Sequence, residues 1–549
     1  MIDRVIELED PLILWSRHVI QAARTPRLLD QRLVDAVSSR IEVDLRCGAA
    51  FSRLQTLQLR TVGPGLADLT ISYGKPYRNP LTSITANHHP GPCQFPTLGF
   101  VVDRYFRVKN FRPEPFWHIR LRHEKAGSKV PFGWVRGRLY DRFCAIVIYE
   151  RCLKAKTATV TRVTRKPTSH WKPLPLTTVE LQKLGSRYLG LSSATVMKLA
   201  EALYNKGFIS YPRTETDQFD RNIDLRALVQ RQTRSPLWGA HAQGLLDGAF
   251  TPPRNGPHND KAHPPIHPIK HVEASALESA DARRVYEFVT RRFLACCSAD
   301  ARGASTTIDL QYGPELFRAK GLVVTERNFL AVYPYDRWQS SASLPDFELG
   351  EEFAPAEALL EEGTTAAPGY LTEPELIALM DANGIGTDAT MAEHISKIVD
   401  RQYAVAQPAP RGASYAGSGG GAEDEDTAAA RAQRGGSRAR GRAGRARGGR
   451  GGARGGGGSA SNGVQQFIPS TLGVGLVVGY DRLGFESSLS KPFLRRQTEA
   501  RMRAICEGRE SKEGFLRESV DMYRQAFLRT SRDIEVLRGS CRRFVVGEG

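Results

Sequence analysis

Gly207-Phe208-Ile209-Ser210-Tyr211-Pro212-Arg213-Thr214-Glu215-Thr216 is the stretch on which the reading of this chain turns. A phenol stands two residues before a guanidinium and four before a carboxylate, and a proline sets the turn between them. A tyrosine oxygen is a competent nucleophile toward phosphorus when a cation lies close to the oxygens that gain charge. The residues just ahead give that phenol a frame. Between 192 and 206 the apolar positions Val196, Leu199, Ala200 and Leu203 fall on one helical face, with Ser192 or Ser193 as the cap and Gly207 as the stop. Pro212 disfavours helical backbone at Tyr211, so the ring should leave the helix end on extended chain. Taken alone, Tyr211–Thr214 better suits an ordinary helix-to-loop turn around a core tyrosine.

A length of 549 residues implies several domains, and a net charge of +18 favours a polyanionic partner, nucleic acid first, over a merely solvated basic surface. No apolar run approaches the ~20 residues of a membrane span. The cysteines at 47, 93, 144, 152, 296, 297, 506 and 541 lack the spacing of a zinc ribbon or redox dithiol, so no zinc is expected. Cys296 and Cys297 follow the apolar run Phe293-Leu294-Ala295 and read as buried thiols. With no secretory leader at Met1, a reducing intracellular compartment is expected.

Composition breaks between about Gln407 and Gln465. Residues 416–463 are mostly Gly, Ala, Ser and Arg, and nine arginines between Arg431 and Arg454 carry no acid among them. Such a tract cannot offset the entropy of ordering and is expected to be disordered. It suits loose binding of single strands, through charge and guanidinium stacking, or a passive charged linker. The rest reads as a mixed α/β chain. Helical spacing runs from Asp30 to Arg60 (Leu33, Val34, Val37, Ile41, Val43, Leu45). Strands are predicted at His118–Arg122, Cys144–Tyr149, Ala158–Arg162, Ser305–Leu310 and Leu322–Val324. Further helices are predicted over Glu373–Asp381, Met391–Asp400 and Arg495–Leu537.

The run around Tyr211 resembles the active-site segment of type IA DNA topoisomerases, in the topoisomerase III branch. Other stretches resemble that family in the same order: Asp44–Arg53 followed by Gln55-Thr56-Leu57, then Ile71–Gly74, Pro92–Gly99, Ala262–Pro268 and Asn383–Thr390. Ser470–Gly473 and Leu489–Pro492 continue the likeness. Residues 75–91 interrupt it as an insertion, within which His88-His89 is set aside as a metal pair. Phe293–Ser298 and the Thr387–Thr390 step resemble the alpha type.

The resemblance implies strand cleavage by Tyr211 through a 5′-phosphotyrosyl ester, passage of another strand and religation without ATP, relaxing negative supercoils and resolving joined DNA in recombination and repair. Arg213 and His263 would be catalytic. Arg53, Gln94, Thr214, Glu215, Thr387 and Thr390 would contact DNA, the last two because glycines and hydroxyls at a helix start form an anion site. Residues 1–34 lack the family's Asp-x-Asp-x-Glu Mg²⁺ pattern. The Toprim domain and its metal ligands are therefore expected to be missing, through a shortened gene reading or genuine loss, and no metal ligands are assigned. The expected fold is the back of a type IA torus. A helical base would comprise 1–105, 367–406 and 464–530, a β-rich arch 106–172 and 301–366, a tyrosine domain 173–300, a disordered insertion 407–463 and a tail 531–549. A RecQ-family helicase, an OB-fold partner and a nuclear location (mitochondrial as the alternative) are implied by kinship. The rival reading is a non-catalytic paralogue that binds single-stranded DNA or RNA.

Overall fold

The computed structural model describes residues 30–63, 66, 71, 93–339, 344–388, 390–410, 463–484 and 488–547. The lead-in 1–29, the 75–91 insertion, the Gly/Arg-rich tract over 411–462 and most of Ile71–Gly74 lie outside them. Among the described residues the first elements are α1 (Gln31–Leu59) and α2 (Gln94–Lys109). There follow β1 (Pro115–Lys125), β2 (Ser128–Trp134), α3 (Arg142–Ala155) and β3 (Ala158–His170). Next come α4 (Thr178–Leu189), α5 (Ser193–Asn205), α6 (Leu225–Gln232), α7 (Gly239–Gly244) and α8 (Ala280–Cys296). Strands β4 (Ala301–Tyr312), β5 (Glu315–Glu326), β6 (Glu352–Phe353), β7 (Glu357–Thr364) and β8 (Leu371–Thr372) lead into α9 (Glu373–Ala382) and α10 (Met391–Asp400). Last are β9 (Ala404–Pro408), β10 (Gln465–Pro469), α11 (Thr471–Arg482), α12 (Phe493–Cys506), α13 (Lys512–Arg532) and α14 (Ile534–Cys541).

Three apolar cores divide these elements. The first gathers α1, α2 and α9–α14, with Leu98, Val102, Ile377, Met380, Leu476 and Tyr480 at its centre. Gly473 of α11 packs so tightly on the turn after α10 that a Cβ there would lie 2.1 Å from the Tyr403 carbonyl oxygen. A buried ion pair ties α12 to α1, Arg495 Nη1 standing 2.8 Å from Asp44 Oδ1 while Nη2 lies 2.5 Å from Glu499. Two expectations change here. Of the six apolar residues that suggested α1, only Val43 enters the core; Leu33, Val34, Val37, Ile41 and Leu45 form an exposed stripe. The stretch expected as a tail from 531 instead holds α14, whose Leu537 and Cys541 are fully buried against the small faces of Gly479 and Gly475 on α11.

The second core lines a seven-stranded sheet of order β6-β3-β4-β5-β2-β1-β7, with every pairing antiparallel. Alternation sets its inner face, as in β5, where Phe317 and Ala319 point inward between exposed neighbours. The strand expected at Cys144–Tyr149 is part of α3. Asp141 caps that helix by accepting from Cys144 N, and the buried positions Ala145 and Cys152 are seven apart, two helical turns, so local capping and packing override the β-branched run Ile146-Val147-Ile148.

The third core collects α4–α8 around Val196, Leu203, Val229, Val285 and Phe293. Phe329, Leu330, Val332 and Tyr333 join it, so the return expected to belong wholly to the arch packs partly here. The two chain crossings between this core and the sheet are fastened together. Lys172, just beyond β3, donates through Nζ to the carbonyls of Thr251 (3.2 Å), Pro252 (2.8 Å) and Ser298 (2.7 Å). Its backbone N–H donates to Asp300 at 2.8 Å, immediately ahead of β4, and Asn328 holds the Asp300 carbonyl at 2.7 Å. No helix among the described residues is long and apolar enough to cross a membrane.

Candidate active site

Ser192 caps α5 and Gly207 closes it. With φ at +67°, Gly207 adopts the left-handed turn in which its N–H reaches Tyr204 O and the N–H of Phe208 reaches Leu203 O. The chain then runs beside Pro265–Ile269: Ser210 N donates to His267 O at 2.9 Å and Ile269 N to Phe208 O at 2.9 Å. Thr178, at the start of α4, fixes the turn after the tyrosine. Its hydroxyl accepts from Thr214 N at 2.7 Å and lies 2.8 Å from Pro212 O. These bonds leave the Tyr211 ring half-buried between two others. The His263 ring lies 4.6 Å away and the Tyr204 ring 5.2 Å away, edge to face.

Arg213 turns back toward α5, where Nε and Nη2 both bond Glu201 Oε1, at 2.8 and 2.5 Å. Glu201 therefore orients the guanidinium expected to face phosphate. His263 is half-exposed and follows a tight turn built on Asp260, whose Oδ1 accepts from the N–H groups of Ala262 (2.8 Å) and His263 (2.9 Å). Asp260 Oδ2 accepts from the Thr214 hydroxyl at 3.1 Å and lies 4.0 Å from His263 Nδ1. Burial alone would raise the Asp260 carboxyl. Donation from His263, Ala262, Thr216 and Thr214 outweighs it and holds Asp260 below the usual carboxylate range. A second carboxylate, Asp217, accepts the backbone and ring N–H of His258 at 2.8 and 2.9 Å. Burial, then the charges of Asp388 and Asp260, push Glu215 upward against Arg503 and His258. His267, fully enclosed, is pushed down by burial and gives Nδ1–H to Pro265 O at 2.7 Å.

Tyr211, Arg213 and His263 thus share one corner, with Glu215 facing the helical base beside it. Thr387 and Thr390 sit at the start of α10, where the Thr390 hydroxyl accepts from Thr387 N at 2.9 Å. That bond uses part of the polar surface expected to meet an anion. Arg53 is exposed on α1. Two of the residues assigned to DNA are placed otherwise. Gln94 is fully buried and accepts from Arg401, because it opens a helix packed inside the first core. Thr214 is buried as well, its hydroxyl spent on Asp260. Among the described residues no group of three or more His, Cys, Asp or Glu side chains could hold a metal ion. The Mg²⁺ that the resemblance implies finds no donor set among them.

A DNA topoisomerase family model matches residues 28–414, across the whole corner just described. The chain belongs to the type IA DNA topoisomerase family. It is 44% identical to DNA topoisomerase 3 of Schizosaccharomyces pombe, over 96% of this chain and 74% of that one. With human DNA topoisomerase 3-alpha the identity is 41%, over 91% of this chain and 42% of the other. The solved full-length topoisomerase I of Thermotoga maritima shares the fold, with a TM-score of 0.64 and 18% identity, covering 94% of this chain and 72% of its own. The sheet, the third core and the first core keep the names that the resemblance gave them, arch, tyrosine domain and helical base, in a chain whose family is an isomerase acting on DNA.

Sequence reasoning passed over Glu201, Asp260, Thr178 and Tyr204. Asn259-Asp260 ahead of Lys261 carries a turn signature, and Lys261 does adopt a positive φ of 57°. Glu201 meets Arg213 only because Gly207 reverses the chain, so no spacing rule marks it.

Proposed function

We propose that Tyr211 cuts one DNA strand, that its phosphotyrosyl ester holds the 5′ end while a second strand passes, and that reversal reseals the break. The observation that carries this reading is the half-buried Tyr211 ring set against His263, with Arg213 held beside it by Glu201. The phenolic oxygen forms a bond to phosphorus, the bond from phosphorus to the 3′ oxygen breaks, and the proton passes from the phenol to the departing hydroxyl. His263, whose ring lies against that of Tyr211, carries that proton, a task worth roughly 10²–10⁴-fold in rate. Arg213 neutralises charge on the phosphoryl oxygens, which for one such donor is worth about 10²–10³-fold. The exchange trades one phosphodiester for another, so it needs no ATP. Kinship with topoisomerase 3 proteins supports relaxation of negative supercoils and resolution of joined molecules, a RecQ-family helicase and an OB-fold protein as partners, and work in the nucleus.

The deciding experiment incubates the full chain with Mg²⁺ and labelled single-stranded DNA and isolates covalent adduct after denaturation. Wild type gives adduct, and Tyr211→Phe gives none while binding with unchanged affinity. Binding without any wild-type adduct overturns the proposal in favour of a non-catalytic strand-binding protein.

A further inference from the structure

Glu373 is the first residue of α9 in the helical base, yet its carboxylate is spent entirely on the tyrosine domain. Oε1 accepts from the backbone N–H of Ser193 at 2.8 Å and from its hydroxyl at 2.5 Å, and Oε2 accepts from the Ser186 hydroxyl at 3.3 Å. The side chain is buried, at 2% exposure. Ser193 opens α5, the helix whose far end delivers Tyr211, so the carboxylate sits on the positive end of the nucleophile helix. Across the same seam Gln182 of α4 donates to the Asp388 carbonyl at 3.0 Å, and Val179 packs against the helical-base core.

Passage of a second strand, in the reading proposed above on which this inference rests, requires the tyrosine domain to part from the helical base with Tyr211 still joined to DNA. We propose that Glu373 is the latch of that gate, a positioning residue that grips α5 by its N-terminus during cleavage and resealing and lets go for each passage.

A carboxylate suits a joint that must open repeatedly. Closed, it is stripped of water, and burial pushes its carboxyl above the usual glutamate range despite donation from Ser193 and Ser186. Open, it regains hydration, which compensates for the bonds it gives up. An apolar plug would have no such compensation, because opening would expose its surface to water. The latch is therefore specific in geometry and small in net free energy. Its bonds are directed to the helix that carries the nucleophile, so release moves Tyr211 as part of a rigid body rather than loosening the site around it.

The test reads the gate directly, in the full chain with Cys144 and Cys506 changed to Ser and spin labels on Lys198→Cys in α5 and Arg482→Cys in the helical base. Electron–electron distance measurements are made with and without single-stranded DNA. Wild type shows a short distance and a minor longer one. Glu373→Ala raises the longer population at least threefold, and Glu373→Gln, which keeps an acceptor for Ser193 but gains less from hydration, lowers it by a similar factor. Should Glu373→Ala fail to fold, Ser193→Ala removes the hydroxyl bond from the other side and is expected to raise the longer population as well. Identical distance distributions in wild type and the folded variants overturn the latch. Label distances do not depend on cleavage. Missing Tyr211 adduct with responsive distances therefore counts against the nucleophile reading, and normal adduct with unresponsive distances counts against the latch.

Discussion

Replacing Asp260 by Ala is expected to separate strand binding from strand cleavage. The carboxylate receives the N–H groups of Ala262 and His263 at 2.8 and 2.9 Å and the Thr214 hydroxyl at 3.1 Å. Hydrogen bonds to a charged acceptor are worth about 1.5–3 kcal/mol each when enclosed, less where water can replace the acceptor. Asp260 is partly exposed, so roughly 2–3 kcal/mol in total is a reasonable loss. That is a modest share of a stability of roughly 5–15 kcal/mol, and the protein stays folded. The larger effect is local. Without the turn, His263 loses the anchor that sets its ring 4.6 Å from Tyr211, and a misplacement of about 1 Å costs about 10²-fold in rate. Asp260→Asn keeps an acceptor for the two amides and loses the charge, so its deficit is smaller, near tenfold if about 1.4 kcal/mol is forfeited. The assay is the initial rate of Tyr211 adduct on single-stranded DNA, read beside equilibrium binding of the same strand. Affinity is expected to hold or to tighten as a negative charge leaves. Adduct formed by Asp260→Ala at the wild-type rate would refute the reasoning, whatever happened to its melting temperature.

Asp44→Ala leaves Arg495, at 1% exposure, without its partner on α1, and chemical denaturation should show a loss of about 3–5 kcal/mol. His394 is wholly enclosed, and burial, then the charges of Arg495, Arg40 and Arg401, push it down from 6.5 to about 3. Its neutral form is favoured only in the folded chain, so its contribution is complete above pH 6.5 and is lost as pH falls toward 3. His394→Gln should flatten that limb of the stability profile, by roughly 1.4 kcal/mol for each unit of displacement at most. Gly473→Ala drives a methyl to within 2.1 Å of the Tyr403 carbonyl oxygen, and thermal melting should show a loss of about 1–3 kcal/mol or more.

Much of the tyrosine domain was legible in the sequence because its signals are local. The cap at Ser192, the apolar face through Leu203 and the stop at Gly207 each act within a few residues, and α5 forms as they predict. The same holds for Glu373–Ala382 and Met391–Asp400. Failures came where distant packing decides. Ile146-Val147-Ile148 reads as strand, yet an aspartate cap and spaced burial wind it into α3. The resemblance assigns Gln94 to DNA, but the helix it opens runs into a core built from residues three hundred positions later, and Arg401 claims it. Within the site, Tyr211 and His263 announce themselves by motif. The residues that aim them, Glu201, Asp260 and Thr178, do so across folds of the chain that no spacing encodes.

The clasp around Lys172 has a mechanical consequence. Both crossings between arch and tyrosine domain pass within one hydrogen-bonded knot, in which a single ammonium holds three carbonyls and Asp300 and Asn328 tie the returning chain. Tension applied across the arch must be carried by that knot before it reaches the tyrosine domain. The arch should then swing as one stiff lever, and a pulling experiment should find its weakest yield point at this joint, well before the sheet itself unravels.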